Sequence, residues 1–313
     1  MSLTDNLYLG LWRRQWLPQR LNRSLYKLLA RRGKAPDAPF TVDFFGLRYD
    51  GNLKINIDFN IYYHGAFEKP LLFFLRDVMQ KLSPQEPVFV DIGANVGQHS
   101  LFMSRLASQV HSFEPFAPVR ERLLHQIALN GLQHITVHPV GLSDANTRLP
   151  FFAPTGRNMG IGSFDASTTS KGNVSIGELE LVRGDDYFLM QGIARVDVLK
   201  MDVEGFEKPA LTGLRETLRR LRPLIVCEVT YGKELSFTSA EDLLAHLPAD
   251  YHLFTFDKRK ANGAKARRRD ARSRNTGEYR VTRYQGVLPT GQDDVIACPQ
   301  ESLEKLQLIG SSE

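Results

Sequence analysis

Val88-Phe89-Val90-Asp91-Ile92-Gly93-Ala94-Asn95-Val96-Gly97-Gln98-His99-Ser100 is the stretch that decides the fold. Val88 to Val90 is an unbroken apolar run, the pattern of a parallel strand covered on both faces. Gly93 permits the backbone angles of a tight turn, and Gly97 lets the following helix come close to strand and ligand. A helix beginning here presents free N–H groups and its positive dipole end to whatever lies over the turn, which suits a carboxylate or phosphate.

The glycine spacing separates two kinds of ligand. A dinucleotide turn reads Gly-x-Gly-x-x-Gly, whereas here three residues separate Gly93 from Gly97, with Asn95 in the middle. Twenty-one residues past Gly93, Glu114 closes a second strand in Val110-His111-Ser112-Phe113-Glu114-Pro115. An acid at that place accepts both hydroxyls of an adenosine ribose, as in dinucleotide folds. Asp91 sets a carboxylate beside the turn, where a ligand's ammonium can sit. Carboxylate, ammonium and ribose together describe S-adenosylmethionine better than NAD. The plainer alternative, a strand–turn–helix with a helix-packing glycine, accounts for the glycines but not for Glu114 in register.

The 313 residues allow an α/β core with extensions, and 42% hydrophobic content is enough for a real core. Cys227 and Cys298 are the only cysteines, so no disulfide framework is expected and a reducing compartment is the default. Leu7-Tyr8-Leu9-Gly10-Leu11-Trp12 is cut short by Arg13-Arg14, which denies the N-terminus a secretory apolar region. No run is long enough to span a bilayer. The expected location is cytoplasmic, with peripheral contact at the inner face of a membrane as an extension of that reading.

The net charge of +5 is unevenly spread. Residues 1–34 hold eight Lys/Arg against one Asp, and residues 258–274 hold nine against one, which leaves the remainder at −10. An acidic core argues against a general nucleic-acid surface, and no specific DNA binding is expected. The basic segments 18–32 and 258–274 are candidates for contact with an anionic surface. The second contains no aliphatic residue larger than alanine, so it is expected to be a mobile excursion between the last two strands.

Pro18 to Arg32 reads as a helix with Leu21, Leu25, Leu28 and Leu29 on one face and Arg20, Arg23, Lys27 and Arg31 largely on the other. Preceded by Trp12 and Trp16, it can lie on an anionic membrane, or its leucine face can dock on the domain or on a second subunit of a homo-oligomer. Phe44–Tyr49 and Lys54–Phe59 alternate as strands around a turn at Asp50-Gly51-Asn52, and a helix follows over Pro70–Lys81. Beyond the glycine turn, helix 97–108, strand 109–113, helix 116–130 and strand 135–140 alternate as in a parallel doubly wound sheet. Gly141-Leu142-Ser143-Asp144 ends the last of these at the ligand-binding edge. Residues 153–177 form a long Gly/Ser/Thr/Asn-rich loop, of the kind that is a lid, a binding loop or disordered.

The second informative stretch is Val196-Asp197-Val198-Leu199-Lys200-Met201-Asp202-Val203-Glu204-Gly205-Phe206-Glu207. A buried strand ends in Asp202 and Glu204, then turns at Gly205 into a helix running to about Arg222. Carboxylates at a strand's C-terminal end need solvent, a metal or a substrate. Asp202 reads as a site residue, whereas Glu207 reads as a helix N-terminal charge favoured by the dipole. Leu224-Ile225-Val226-Cys227-Glu228 is the next strand, with Glu228 over the same edge. Ser239-Ala240-Glu241-Asp242 is a capping box, and Tyr251–Phe256 with Asp294–Cys298 forms a closing antiparallel pair.

At these residues the chain resembles the FkbM family of S-adenosylmethionine-dependent methyltransferases. The likeness rests on Val90–Gly97, Ser112-Phe113-Glu114-Pro115 and Leu199–Glu207, with Tyr63-His64-Gly65-Ala66-Phe67-Glu68 similar to the family's leading Gly-x-x-Glu segment. It extends over about residues 40–300. The resemblance implies an α/β class I methyltransferase (Rossmann-like) fold. That is a doubly wound, mainly parallel seven-stranded sheet with an antiparallel last strand. It also implies O-methylation of a hydroxyl on a sugar, glycan or natural-product acceptor. The basic segment 258–274 and the Trp/Arg-rich N-terminus depart from the family pattern and leave the substrate class open.

The expected organisation is a basic amphipathic extension (1–39), an N-terminal β-hairpin and helix on the acceptor side (40–84), the methyltransferase domain (85–300) and a tail (301–313). Asp91 is assigned to the methionyl ammonium, Gly93 and Gly97 to the methionyl backbone, Glu114 to the ribose, and Ser143 and Asp144 to the adenine, with Asn95 also counted as cofactor-binding. Asp202 is the first candidate for general base, with His64 second. Glu68, Glu204 and Glu228 line the acceptor side. Asp202 with Glu228 can hold a hard divalent ion, but nothing in the spacing demands one and none is assigned. Three rivals differ in class. A base-directed methyltransferase would carry Asn/Asp-Pro-Pro-aromatic in place of Asp202-Val203-Glu204-Gly205. A nicotinamide oxidoreductase lacks its middle glycine here, and a non-catalytic donor-binding module would bind without turnover. An acceptor that is anionic or membrane-associated, such as a lipid-linked glycan or RNA, is the alternative substrate class.

Overall fold

The computed structural model describes residues 3–14, 16–82, 85–154, 162–164, 166, 169, 172–232, 235–259, 266–288 and 291–308. The chain forms two compact units, Met1–Phe67 and Glu68–Glu313. In the first, helices α1 (Leu3–Trp12) and α2 (Gln19–Arg31) precede an antiparallel hairpin, β1 (Pro39–Phe44) and β2 (Leu47–Asn52), and a third helix, α3 (Asn56–His64). Tyr26, Ala35, Leu53 and Tyr63 form its small core, with Trp12, Phe40 and Phe59 packed on them.

This hairpin differs from the expected one. It turns at Phe45-Gly46, with φ of 53° and 86°, and Asp50-Gly51-Asn52 lies within β2 instead of between strands. Residues 56–64 are helical because Asp58 is wanted inside: its carboxylate accepts the Tyr49 hydroxyl and the Asn52 N–H, each at 2.7 Å. In α2 the leucine face is only partly docked. Leu29 is buried, whereas Leu21 is 54% exposed.

The second unit opens with α4 (Lys69–Leu82), β3 (Val88–Ile92), α5 (Gln98–Met103), β4 (Gln109–Phe113), α6 (Ala117–Asn130) and β5 (Ile135–His138). It continues through β6 (Gly141–Ser143), β7 (Thr147–Pro154), β8 (Asn173–Arg183), α7 (Gly184–Met190) and β9 (Val198–Met201). Then come α8 (Glu207–Gly213), α9 (Arg215–Leu221), β10 (Leu224–Tyr231), α10 (Ala240–Leu244), β11 (Tyr251–Phe256), α11 (Arg267–Thr276), β12 (Val281–Arg283), β13 (Gly291–Pro299) and α12 (Leu303–Leu306).

The main sheet runs β12-β11-β13-β10-β9-β3-β4-β5. From β5 to β10 its neighbours are parallel, and β13 is inserted antiparallel between β10 and β11. This is the expected class I methyltransferase sheet with one addition, β12 on the outer edge of β11. The central strands carry the core: Val90, Ile92, Leu199, Met201, Ile225 and Cys227 are all nearly inaccessible. Both cysteines are free and buried. Ser239 caps α10 as expected, accepting the Asp242 N–H.

Several elements fall differently from the linear reading. Residues 141–143 do not prolong β5; β6 joins β8 and β7 in a separate three-stranded sheet. The long loop is therefore shorter than expected, although residues 155–161, 165, 167, 168, 170 and 171 lie outside the described residues. The helix after Asp202 is two helices, α8 and α9, broken at Leu214. The expected tail contributes buried Leu303 and Leu306, and Lys81 donates to the Leu306 carbonyl at 3.1 Å.

The segment 258–274 is not a bare excursion where it is described, and residues 260–265 lie outside the described residues. Lys258 pairs with Asp294 at 2.6 Å and Arg259 with Asp293 at 2.9 Å. Arg267–Thr276 is helical and docked on α4, with Lys69 donating to the Asn275 carbonyl at 3.1 Å. Ion pairing and docking supply here what apolar burial could not. Among the described residues, no helix is long and apolar enough to cross a membrane.

The tightest constraint in the sheet is at the end of β3. Gly93 has φ +76°, and a Cβ there would lie 1.8 Å from the Asp202 carbonyl oxygen. That neighbour is backbone and cannot rotate away. Gly131, with φ +62° and nothing within 4 Å, isolates the dihedral cost alone. Gly131→Ala is expected to lower stability by about 1–2 kcal/mol. Gly93→Ala should lose that plus an overpacking cost of about 1–3 kcal/mol or more. Urea denaturation of both variants checks the difference; equal losses would mean that β9 can move away from β3.

Candidate active site

The turn after β3 is sewn to β4. Gly93 and Ala94 both donate to the Phe113 carbonyl at 3.0 Å, and Asn95 N–H donates to Glu114 Oε2 at 2.9 Å. Val96 N–H is taken by Asn95 Oδ1 at 2.8 Å, and Gly97 N–H by the Ala94 carbonyl at 2.9 Å. The amides of the turn itself, residues 93–97, therefore already have acceptors within the protein. Gly97 serves packing: a Cβ there would meet Leu123 Cδ1 of α6 at 2.2 Å.

Glu114 is 8% exposed and also accepts Phe116 N–H at 2.9 Å through Oε1. Burial raises its pKa to about 7, against the pull of those two amides. A carboxylate has about four acceptor positions, so each oxygen keeps one for a ligand hydroxyl.

Asp91 is wholly buried. Its Oδ2 accepts the Ser100 hydroxyl at 2.7 Å, and Oδ1 lies 3.5 Å from Lys200 Nζ without a hydrogen bond. The cation beside Asp91 is thus the protein's own, which corrects its assignment to a ligand ammonium. Lys200 also reaches Asp202 Oδ2 at 3.5 Å and donates to the Gly93 carbonyl at 3.3 Å. Burial pulls the lysine pKa down, but Asp202, Asp91, Glu68 and Glu228 outweigh it and hold it above the ordinary value.

Around this ammonium the ends of β9, β10 and β13 bring acids together. Ligand atoms of Asp202, Glu204 and Glu228 lie within 4.8 Å of one another, as do those of Glu68, Glu228 and Asp294. Asp202 keeps 27% of its side chain exposed, whereas Glu228 and Asp294 are each 6% exposed. Burial drives Glu228 well above the ordinary carboxylate value, with Asp202 and Asp294 adding to the effect. Glu68 is raised to about 8 by burial, then by Asp294 and Asp202, against Lys258 and Lys200. Burial also raises Asp294, but the Lys258 ammonium on it more than reverses this. Glu68 and Glu204 hold φ of 47° and 53°, a conformation costing about 1–2 kcal/mol for a residue with a Cβ. The described part of the long loop touches this rim, where Ser163 donates to the Glu204 carbonyl at 2.9 Å.

Glu207 stands at the N-terminus of α8, as expected, but as an inward-facing group. It is fully buried, and its Oε1 accepts Val203 N–H at 3.2 Å and Gly205 N–H at 2.9 Å, shaping the turn that carries Asp202 and Glu204. Ser143 is buried in β6, with its hydroxyl on Asp144, and Asp144 is exposed. His64, the last residue of α3, belongs to the first unit, where Arg23 Nη1 lies 3.0 Å from its Nε2.

Four participants escaped the linear reading: Lys200, His99, Lys258 and Asp294. Lys200 had a signal, a lone charge inside an apolar parallel strand. His99 is 6% exposed and held well below its ordinary pKa by burial and then by Lys200. Its Nε2 lies 3.7 Å from Glu68 Oε2 and has no hydrogen-bond partner.

A class I methyltransferase sheet with acids gathered at the C-terminal ends of its central strands defines the class of protein. The model of the methyltransferase FkbM domain matches residues 91–256, just over half of the chain, and the chain belongs to that family of S-adenosylmethionine-dependent methyltransferases. The chain is 26% identical over 198 residues to the antimetabolite synthetase AmbE of Pseudomonas aeruginosa, covering 52% of this chain and 9% of AmbE. It is 26% identical over 164 residues to the 2-O-methyltransferase NoeI of Sinorhizobium fredii, covering 47% of this chain and 65% of NoeI. Against the 31-O-demethyl-FK506 methyltransferase FkbM of Streptomyces tacrolimicus it is 29% identical over 162 residues, covering 44% and 62%. The match thus spans less than two thirds of each of these three relatives.

The raised acids give stability a sign with pH. Glu114 and Glu207 stay protonated in the folded protein up to about pH 7, whereas an ordinary glutamate ionises near 4.5. Between those values the folded state binds more protons than the unfolded, so stability is full below the unfolded pKa and falls as pH rises toward 7. Each group accounts for a loss on the order of 3 kcal/mol. The urea midpoint is expected to be higher at pH 5.5 than at pH 7.5, and Glu207→Gln should flatten that slope. A midpoint that rises over this interval in the parent would contradict the assignment.

Proposed function

We propose that this chain is an S-adenosylmethionine-dependent O-methyltransferase acting on a hydroxyl of a sugar, glycan or natural-product acceptor. The observation that carries the reading is Asp202, a partly exposed carboxylate set directly against the Gly93 turn by the contact between their backbones. The names of NoeI and of the FK506 methyltransferase, both O-methyltransferases, support oxygen as the accepting atom.

S-adenosylmethionine, when bound, supplies a methyl carbon carried on a sulfonium. Glu114 offers its two remaining acceptor positions to the ribose hydroxyls. The acid rim favours a cationic ligand, and its own lysines fix the carboxylates in place. Asp202 receives the proton of the acceptor hydroxyl as the oxygen–methyl bond forms and the methyl–sulfur bond breaks, and then returns it to solvent.

A second reading concerns where the acceptor resides. Leu7, Leu11, Trp16 and Leu21 are 60%, 37%, 74% and 54% exposed, with Arg13, Arg14 and Arg20 exposed beside them in sequence. Apolar side chains interleaved with cations suit an anionic membrane surface that presents a lipid-linked acceptor. Flotation of the chain with vesicles containing anionic lipid, lost in Trp16→Ser, tests it.

Transfer of labelled methyl into fractionated glycans, lipids and small metabolites identifies the acceptor. Asp202→Asn should lower turnover on the order of a hundredfold while donor affinity stays within a few-fold. Glu114→Ala should weaken donor affinity by about 1.5–3 kcal/mol in calorimetry. Undiminished turnover in Asp202→Asn would remove Asp202 as the base.

A further inference from the structure

We propose that Glu68, His99, Glu228 and Asp294 form a site for one divalent cation of the Mn²⁺ type, which holds the acceptor beside Asp202. The role given to the ion rests on the methyltransferase reading above, but the site itself does not.

Four separate elements bring the ligands together: the residue before α4, helix α5, strand β10 and strand β13. Glu228 and Asp294 are directly opposed across the antiparallel pair β10–β13. Two ionised carboxylates in that relation repel, and a proton or a cation relieves it. Lys258 supplies one to Asp294 at 2.6 Å. It does not balance the rim, where Glu68 and Glu228 are joined by Asp202 and Glu204.

Spacing fits an ion. Carboxylate oxygens of Glu68, Glu228 and Asp294 fall within 4.8 Å of one another. Opposite ligands of a hard divalent ion are separated by twice the metal–oxygen distance, about 4.2–5 Å. Lys258 occupies Asp294 Oδ2, and the carboxylate retains other acceptor positions.

The independent observation is His99. Its Nε2 is buried and unpartnered, and it faces Glu68 Oε2 at 3.7 Å, beyond hydrogen-bond length. A buried ring nitrogen without a partner is costly, and ligation would satisfy it. The imidazole stands against Glu68 at the side of the three-carboxylate group, so ligation by it would make a mixed nitrogen and oxygen set. Three carboxylates suit Mn²⁺ as they suit Mg²⁺ and Ca²⁺, and the one nitrogen weighs against the last two, which take oxygen alone. A cation here would take a lone pair of the acceptor hydroxyl and lower its pKa, leaving Asp202 to receive the proton.

The test uses the full chain, stripped with chelator, with no donor or acceptor present. Mn²⁺ is titrated in and its free concentration is read by electron paramagnetic resonance, with calorimetry for the stoichiometry. One saturable site is expected. Glu228→Gln and His99→Gln should each weaken it by at least about tenfold, the lower end of what even an outer-shell change costs. Lys258→Met should tighten it severalfold by removing a competing charge, which a purely structural ion-pair network does not predict. Glu68→Gln, outside the strands, serves as the ligand variant should His99→Gln fail to fold by circular dichroism. Absence of one-site Mn²⁺ binding overturns the proposal, as does affinity unchanged in Glu228→Gln and in whichever of His99→Gln and Glu68→Gln folds. Donor binding by calorimetry on the same sample separates the two readings: donor without Mn²⁺ sinks only the cation site, and Mn²⁺ without donor sinks only the methyltransferase.

Discussion

Lys200 is the contact on which the working edge of the sheet depends. Its ammonium stands between Asp91 of β3 and Asp202 beyond β9, and it donates to the carbonyl of Gly93. A lysine with only 5% of its side chain exposed carries a desolvation cost of several kcal/mol, recovered only when the charge is paired and hydrogen-bonded. Here the pairing joins two neighbouring parallel strands at the ends where their turns begin. The same geometry presses the Asp202 carbonyl against Gly93, which is why no side chain fits at that glycine. Without the ammonium, Asp91 would be left as an uncompensated buried charge.

That arrangement also sets the electrical character of the rim. Glu68, Asp91, Asp202, Glu204, Glu228 and Asp294 are gathered near two ammonium groups, that of buried Lys200 and that of partly exposed Lys258. With all acids ionised the excess is negative in a low-dielectric setting, where such charges interact strongly. The folded protein answers by keeping Glu68 and Glu228 protonated well above the ordinary carboxylate range. A rim that holds protons for lack of cations favours any cationic ligand, whether a sulfonium or a metal ion. Electrostatics therefore specifies the charge of what binds more firmly than its shape.

The linear chain made one half of this site readable. The apolar run Val88–Val90, the Gly93 turn and Glu114 in register all follow from local backbone rules, and the structure places them as those rules require. The acids at Asp202 and Glu228 were legible because a carboxylate ending a buried strand is costly unless solvent, a cation or a ligand meets it there. Roles were harder than places. Asp91 reads as a ligand's partner until Lys200 is seen beside it, and that neighbour is 109 residues away along the chain. His99 stands in the first turn of helix α5 and Asp294 lies within β13, and only the tertiary fold brings them to Glu68. The hairpin was misread for a related reason: Ile55 to Phe59 alternates like a strand, yet the buried carboxylate of Asp58 ties the segment to β2 as a helix.

The basic segment shows how far a charge count departs from a charge field. Nine Lys/Arg against one Asp in residues 258–274 suggest a free cationic patch. In the structure, Lys258 and Arg259 neutralise Asp294 and Asp293, Arg272 reaches Glu278 at 2.9 Å and Arg274 reaches Asp270 at 2.8 Å. The first two of these pairs are largely buried and resist salt; the last two are exposed and worth little to stability. Arg267 and Arg268, exposed at the start of α11, carry what the described part of the segment still offers to an anion. Its inner end is committed instead to the acid rim. Lys258 thereby links the two ideas about this segment, because the charge expected to recruit an acceptor from outside is spent on holding Asp294 within the site.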